Sequence, residues 1–329
     1  MFSFSRYLHM KEHKIKQIPE DFIVKENSNV ELEDSGDYSI FLMKKNNYTT
    51  ERAIQQIANA LHIERKRLGY AGNKDKVAVT AQNISIKHAS KEKVEAIKLK
   101  DVELTFLGHS QNPISLGDLE GNSFEIIVRD IEKSPVCLKR IVNYFGEQRF
   151  SKNNAEIGEA IVKKDFKKAV DLVLDIIGHD EKKVIEHLKK NKNDFVGALK
   201  NIPWKILKLY VHAFQSKLWN AIAKECVEKD LKVDKIPLIG FATEVKDKKV
   251  KKIVDKIMQN NKITFRDFVI PAIPDLSSDG DERSLYAEIV DMKISELEKD
   301  ELNKGKKKVK IIFSLGKGSY ATEVIKGMF

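Results

Sequence analysis

The chain has 329 residues, 42% of them apolar and 33% charged, which describes a globular protein large enough for one big core or two modest ones. No run of 18 or more apolar residues occurs, and the basic opening stretch Met1 to Lys16, with Arg6, Lys11 and Lys14, has no apolar signal core, so a cytoplasmic protein with no membrane partner is expected. Lys and Arg total 59 against 49 Asp and Glu, a net charge of +10 that favours a polyanionic partner such as RNA or DNA, although mixed runs such as Lys246 to Lys256 also read as solvated faces.

In chain order, Gln17 to Glu26 reads as a turn entered through Pro19 and leading into a strand, and Tyr38 to Met43 as a second strand. Thr50 is the expected N-cap of a helix whose apolar positions are Ile54, Ile57, Ala58 and Leu61. A basic turn, Glu64 to Arg67, delivers the chain to Gly72-Asn73-Lys74-Asp75-Lys76. There an acid lies between two lysines at the mouth of a strand, behind a glycine that allows a tight turn or close approach. Val77, Val79, Ile84 and Ile86 form the apolar side of the strand or strand pair that follows. Ser90 caps a short helix, and Val102 to Leu107 is a strand. Gly121 to Phe124 is expected to turn into a strand over Glu125 to Val128. Ser134-Pro135 predicts a helix that stops at Gly146.

From about Asn154 to Asn260 helical periodicity dominates: Ala169, Leu172, Val173 and Ile176; then Leu207, Val211, Phe214, Leu218 and Ile222; then Val250, Ile253, Val254 and Ile257. After the irregular run Pro271 to Gly280, strands return at Ser284 to Val290 and Val309 to Leu315, with a terminal helix over Ser319 to Met328. The pattern predicts an α+β chain with a largely helical insertion: a core of residues 1–153 and 281–329 around an inserted module of residues 154–280.

Several chemistries are excluded. Cys137 and Cys226, both in segments that read as helical, form no disulfide framework or zinc motif, and the eight histidines are scattered singly. Neither a metal nor an organic cofactor is expected. Leu315 to Ser319 fails as a phosphate-binding loop because Ile311 stands where its first glycine is required and Gly318 follows the lysine. Asp275 to Tyr286 fails as a calcium loop because Tyr286 cannot supply the final bidentate carboxylate.

Four stretches remain: Pro19-Glu20-Asp21-Phe22, Ala71 to Gln82, Gly121-Asn122-Ser123-Phe124, and Phe313 to Thr322. In this order, together with Asn143 to Phe150 and the segment Tyr210 to Asn220, they resemble the TruD family of tRNA pseudouridine synthases. The resemblance implies a mixed, mainly antiparallel sheet as catalytic core, a helical insertion, tRNA as partner, no cofactor, and isomerisation of a uridine, typically uridine 13, so that the base joins ribose through C5. It implies that Asp75 is the catalytic carboxylate and that Phe22, Asn122 and Tyr320 hold the base.

The residue types suit that reaction. A uridine extruded from folded RNA needs replacement stacking, which Phe22 and Tyr320 offer, and Asn122 presents a donor and an acceptor to the uracil edge. Asp75 must be ionised whether it attacks the sugar, attacks the ring or takes a ribose proton. A nearby cation favours that state, and neighbours Lys74 and Lys76 point to opposite faces of an extended segment, leaving room for a partner from elsewhere. Lys74 is expected to bind RNA or the active-site loop. Phe124 either lines the pocket or packs inside the sheet, and Arg149 contacts phosphate or forms a structural ion pair. Ser151 departs from the family's usual glycine, and Gly316 from its usual proline. The rival readings are a non-catalytic RNA-binding or chaperone protein, for which Asp75 has no use, and a metal-dependent hydrolase, for which no ligand cluster is evident.

Overall fold

A computed structural model describes residues 13–176 and 179–329; residues 1–12, with Arg6 and Lys11 of the basic opening stretch, lie outside the described residues. The chain divides into two compact units, Met1–Ile141 with Glu288–Phe329, and Val142–Ala287.

The first unit contains β1 (Phe22–Asn27), β2 (Tyr38–Asn46), α1 (Thr50–Ala60), β3 (Leu68–Tyr70), β4 (Val79–Lys87), α2 (Lys91–Glu95), β5 (Val102–Ser110) and β6 (Gly121–Ile131), and the chain leaves it through β7 (Arg140–Val142). The second unit carries α3 (Asn154–Val162), α4 (Phe166–Leu174), α5 (His179–Lys190), α6 (Phe195–Lys200), α7 (Trp204–Glu228), β8 (Lys235–Leu238), α8 (Lys248–Asn260) and β9 (Asp281–Ser284). The chain returns along β10 (Tyr286–Ile294) and ends with β11 (Glu298–Lys299), β12 (Lys307–Gly316) and α9 (Ala321–Met328). Among the described residues the strands of the large sheet follow the order β5-β2-β4-β1-β6-β12-β10-β7, with β3 on β4 and β11 on β12. β1 runs parallel to β4, whereas β1–β6, β2–β4, β2–β5, β6–β12 and β10–β12 are antiparallel. The fold is the expected α+β arrangement with a mainly antiparallel sheet.

The register places one row of side chains, Lys45, Thr80, Val24, Phe124 and Phe313, across β2, β4, β1, β6 and β12, and beside it, one step further along the same face, the pair Met43–Gln82 and the row Glu26, Asn122 and Leu315. Directly paired residues share a face of a pleated sheet. At one end of this face α1 packs Ile54 and Ile57 on Phe41, Met43, Ile84 and Ile86; at the other, α9 packs Val324 and Ile325 on Phe124, Ile126 and Phe313. Fully burying each such aliphatic side chain contributes about 1.5–3 kcal/mol. Between the two apolar clusters lie Gln82, Glu26 and Asn122, polar side chains in the middle of a buried face.

Four local expectations are corrected. The N-cap of α1 is Thr49, whose hydroxyl accepts from Arg52 N; Thr50 is the first helical residue, and its hydroxyl donates instead to Gln82 Oε1 at 2.9 Å. Gly121 to Phe124 is not a turn but the start of β6. A Cβ on Gly121 would meet the Leu315 carbonyl oxygen at 2.1 Å, so this glycine permits close approach of β12. No helix follows Ser134-Pro135: Val136 N donates to Met328 O, Leu138 and Ile141 pack against the core under α9, and only the short β7 forms there. Cys137 is accordingly exposed and non-helical, while Cys226 is buried in α7, where burial pushes its thiol up to about 11. Val77 is exposed before β4 begins, so it contributes nothing to that strand's apolar side.

The second unit is largely helical, with α7 at its centre. Tyr210, Val211, Phe214, Leu218, Trp219 and Ile222 all lie in one apolar cluster. The Asn143 to Phe150 motif belongs to this core. Phe145 N donates to Asn220 Oδ1 and Asn220 Nδ2 donates back to Phe145 O, at 2.9 and 3.0 Å. Arg283 donates to the Asn143 carbonyl and lies 4.1 Å from the Phe145 ring centroid. Arg149 Nε donates to Ser216 Oγ at 3.3 Å. Ser151 donates from its hydroxyl to Gln148 O within a short 3-10 stretch.

Candidate active site

The Gly72 to Lys76 loop lies between β3 and β4 and is tied down at nearly every residue. Gln82 Nε2 donates to Gly72 O at 2.9 Å, and Lys74 N donates to Thr50 Oγ1 at 2.9 Å. The Lys74 amine pairs with Glu26 Oε2, while the other Glu26 oxygen accepts from Asn83 N. Lys74 is thereby committed to the loop itself, its side chain 6% exposed. Lys45 donates from beneath to the carbonyls of Tyr48 and Asp75, the latter at 3.0 Å. Thus the polar row on the sheet is the floor of the loop. Gly72 is not left-handed, and a Cβ there would meet only the Lys74 amine at 4.0 Å, so neither a tight turn nor a close approach requires this glycine.

With its main chain fixed, Asp75 turns its carboxylate to Lys16, whose Nζ lies 2.7 Å from Oδ2; the Asp75 side chain remains 30% exposed. The same amine is 4.0 Å from the Phe22 ring centroid. Lys16 adopts φ 58°, a left-handed conformation that costs a non-glycine residue about 1–2 kcal/mol. It is held there because Lys14 bridges to Arg129 on one side and the Pro19–Asp21 turn follows on the other. Lys76, by contrast, is exposed.

Phe22 is buried and belongs to the core cluster, edge-on to Phe124 at 6.1 Å, and Phe124 in turn stacks on Phe313 at 5.4 Å. Of the two readings of Phe124, packing within the sheet describes this arrangement. The position of Phe22 is set from below by Arg129, which is buried and donates to both oxygens of Asp21 and to Asp300, while Asp21 accepts from Ile18 N. Asn122 stands opposite Glu26 in the register. Its Oδ1 is sealed from solvent and has no hydrogen-bond partner among the described residues. An orphaned acceptor of this kind costs free energy unless something else satisfies it. Tyr320 is half-buried at the N-cap of α9, just beyond the end of β12 whose Leu315 pairs with Asn122.

The structure therefore joins Asp75, Lys16 and Phe22 by direct contact and joins Lys74 to the Glu26–Asn122 row. Sequence reasoning missed Lys16, Glu26, Lys45 and Arg129. For two of them a signal existed: Phe22-Ile23-Val24-Lys25-Glu26 and Phe41-Leu42-Met43-Lys44-Lys45 place a charged residue at the inward position of an alternating strand. Lys16 carried no such signal.

A profile of the family "tRNA pseudouridine synthase D (TruD)" matches residues 8–180, 175–236 and 233–328. The chain is 31% identical to the probable tRNA pseudouridine synthase D of Methanosarcina acetivorans, over 95% of this chain and 91% of the relative. It is 29% identical to the tRNA pseudouridine synthase D of Aquifex aeolicus, over 96% and 98% of the two chains. A crystal structure bearing the TruD name, from Methanosarcina mazei, superposes with a TM-score of 0.75 at 28% identity, covering 95% of this chain and 92% of the other. With a profile match along nearly its whole length and a common fold, the chain belongs to the TruD family of tRNA pseudouridine synthases.

Proposed function

We propose that the protein is a tRNA pseudouridine synthase acting on uridine 13 of cytoplasmic tRNA, with Asp75 as its catalytic carboxylate. The observation that carries this reading is the Lys16–Asp75 pair beside the Phe22 ring. A carboxylate paired with a cation, next to an aromatic face, is what an extruded base needs on its reactive and its stacking sides. The unit of residues 1–141 and 288–329 is the catalytic core in this reading, and residues 142–287 are the inserted module.

The reaction is a rearrangement within one nucleotide: the N1–C1′ bond breaks, the uracil turns, a C5–C1′ bond forms, C5 gives up its proton and N1 ends protonated. Nothing is oxidised, added or lost, so the chemistry calls for no cofactor. Asp75 works as an ionised group in each route open to it, as nucleophile toward C1′, nucleophile toward the ring, or base toward the ribose. Asn122 offers its unpartnered oxygen to a uracil N–H. Phe22 and Tyr320 hold the detached base close to the ribose, which keeps recombination effectively unimolecular. Lys74 holds the loop through Glu26, and Phe124 supports the Phe22 ring.

The test is pseudouridine formation in a tRNA transcript, mapped to single nucleotides, for the native protein and for Asp75→Ala. Product at position 13 with the first and none with the second supports the reading. RNA binding by both proteins without product from either would replace it with a binding module, and product at another position would replace the assigned uridine.

A further inference from the structure

Lys45 is 2% exposed, among the largest fully buried side chains of the protein. Among the described residues its amine forms no ion pair and instead donates to two main-chain carbonyls, those of Tyr48 and Asp75. A buried ammonium satisfied only by neutral oxygens is an expensive way to fill an inward position of β2, where Phe41 and Met43 show that apolar side chains fit. Directly across from it stand Thr80 on β4 and Val102 on β5, neither ionisable, and the Thr80 hydroxyl has no partner among the described residues. The charged groups that bear on Lys45 come from one loop: Asp75, which favours the ammonium, and Lys74, which opposes it.

We propose that Lys45 is a positioning residue for the isomerisation: it clamps the main chain of Asp75 from the sheet side and, while protonated, sets a positive charge behind the carboxylate. The Lys16 amine engages the same aspartate from its carboxylate end. Asp75 is thus gripped by two lysines, one at the main chain and one at the side chain. Lys16 is 21% exposed and stands over the Phe22 ring that a base would use, so an incoming uridine competes for its place. Lys45 is walled off from that competition and keeps the aspartate in place throughout. Burial lowers the Lys45 amine to about 8, the direction expected for an ammonium kept in place with little compensation. This proposal rests on the pseudouridine synthase reading and adds a second support for its carboxylate.

The experiment measures single-turnover pseudouridine formation across a range of pH, together with tRNA affinity, for the native protein, Lys45→Met and Lys45→Gln. Both variants are expected to bind tRNA as the native protein does, to react at least roughly tenfold more slowly, and to show the acid limb of the rate profile moved to higher pH, because losing a positive charge disfavours ionisation of the carboxylate. Lys45→Gln keeps an amide donor and is the milder change, and it carries the test if Lys45→Met fails to fold. Native rates with an unmoved acid limb in a folded variant would overturn the proposal. So would slower turnover with no movement of the acid limb, or failure of both variants to fold, either of which would make Lys45 a packing residue. If the native protein itself forms no pseudouridine, the functional reading falls, which is distinguishable from a Lys45 variant that matches an active native enzyme.

Discussion

Lys16 donates to Asp75 Oδ2 across 2.7 Å although 59 residues separate them in sequence. The contact arises because the Lys14–Arg129 bridge and the Pro19–Asp21 turn lay the segment before β1 beside the loop before β4, and β1 and β4 are parallel neighbours. Replacing Lys16 by Met removes the charge-assisted bond to a half-buried carboxylate while keeping an apolar stem beside the Phe22 ring. The expected outcome is a fall in single-turnover rate of roughly 100-fold with little loss of tRNA affinity, measured by rapid quench and filter binding.

Asn122 separates stability from activity. Because its Oδ1 has no hydrogen-bond partner among the described residues, Asn122→Ala gives up no native bond at that oxygen. Thermal unfolding is expected to hold steady or rise, while kcat/KM falls by roughly 10- to 100-fold through the lost contact with the base. A large drop in melting temperature would show instead that Asn122 is structural.

Arg129 joins Asp21, Asp300 and the more exposed Glu301 in one ion cluster. Arg129→Met leaves two buried carboxylates without their cation and is expected to cost about 3–5 kcal/mol in urea unfolding. Asp300 also sets an acid limit. Burial works against its charge, but hydrogen bonds from Asn303, Asp130 N, Leu302 N and Arg129 outweigh it and hold the carboxyl at about 2, below its ordinary 3.8. The native state therefore binds this proton later than the unfolded state. Its contribution, on the order of 2 kcal/mol, is fully present above about pH 4 and is lost as pH falls through about 2. Asp300→Asn should flatten that part of the stability profile.

Lys45 predicts a second rise of stability with pH, at alkaline pH. Its amine lies at about 8 in the folded protein against an ordinary 10.5, so between these values the unfolded state binds the extra proton. Stability from this group rises with pH across that window, by on the order of 3 kcal/mol in total, and is level below it. Urea midpoints of the native protein and Lys45→Met should converge or cross differently on the two sides of pH 8, with the rise absent from the variant.

Much of this protein could be read from residues alone. The alternation in β1, β4 and β12, the helical spacing in α7 and α8, and the Ser90 cap of α2 are local patterns, and local periodicity suffices to form them. Asp75 stood out because an acid flanked by lysines at a strand entrance falls inside the motif that carries the family resemblance, whereas charged Gly-Asn turns by themselves are common. Where the sequence misled, a local signal was outweighed by tertiary contact. Ser134-Pro135 is a sound helix start, but Val136, Leu138 and Ile141 are drawn into contact with the end of α9 and its core. Gly121 reads as a turn residue but is a strand residue pressed against the Leu315 carbonyl.

The sequence by itself determined the class of fold and the helical texture of residues 154–260, and it named Asp75 as the candidate acid with the residue types proposed around it. Only the tertiary structure decided which cations serve that acid. Lys74 and Lys76, its neighbours in the chain, turn to Glu26 and to solvent, while Lys16 and Lys45 arrive from the segment before β1 and from β2. The physical reason is that an extended loop sends successive side chains to different sides, so the charge next to a carboxylate in space is set by strand order and register rather than by adjacency.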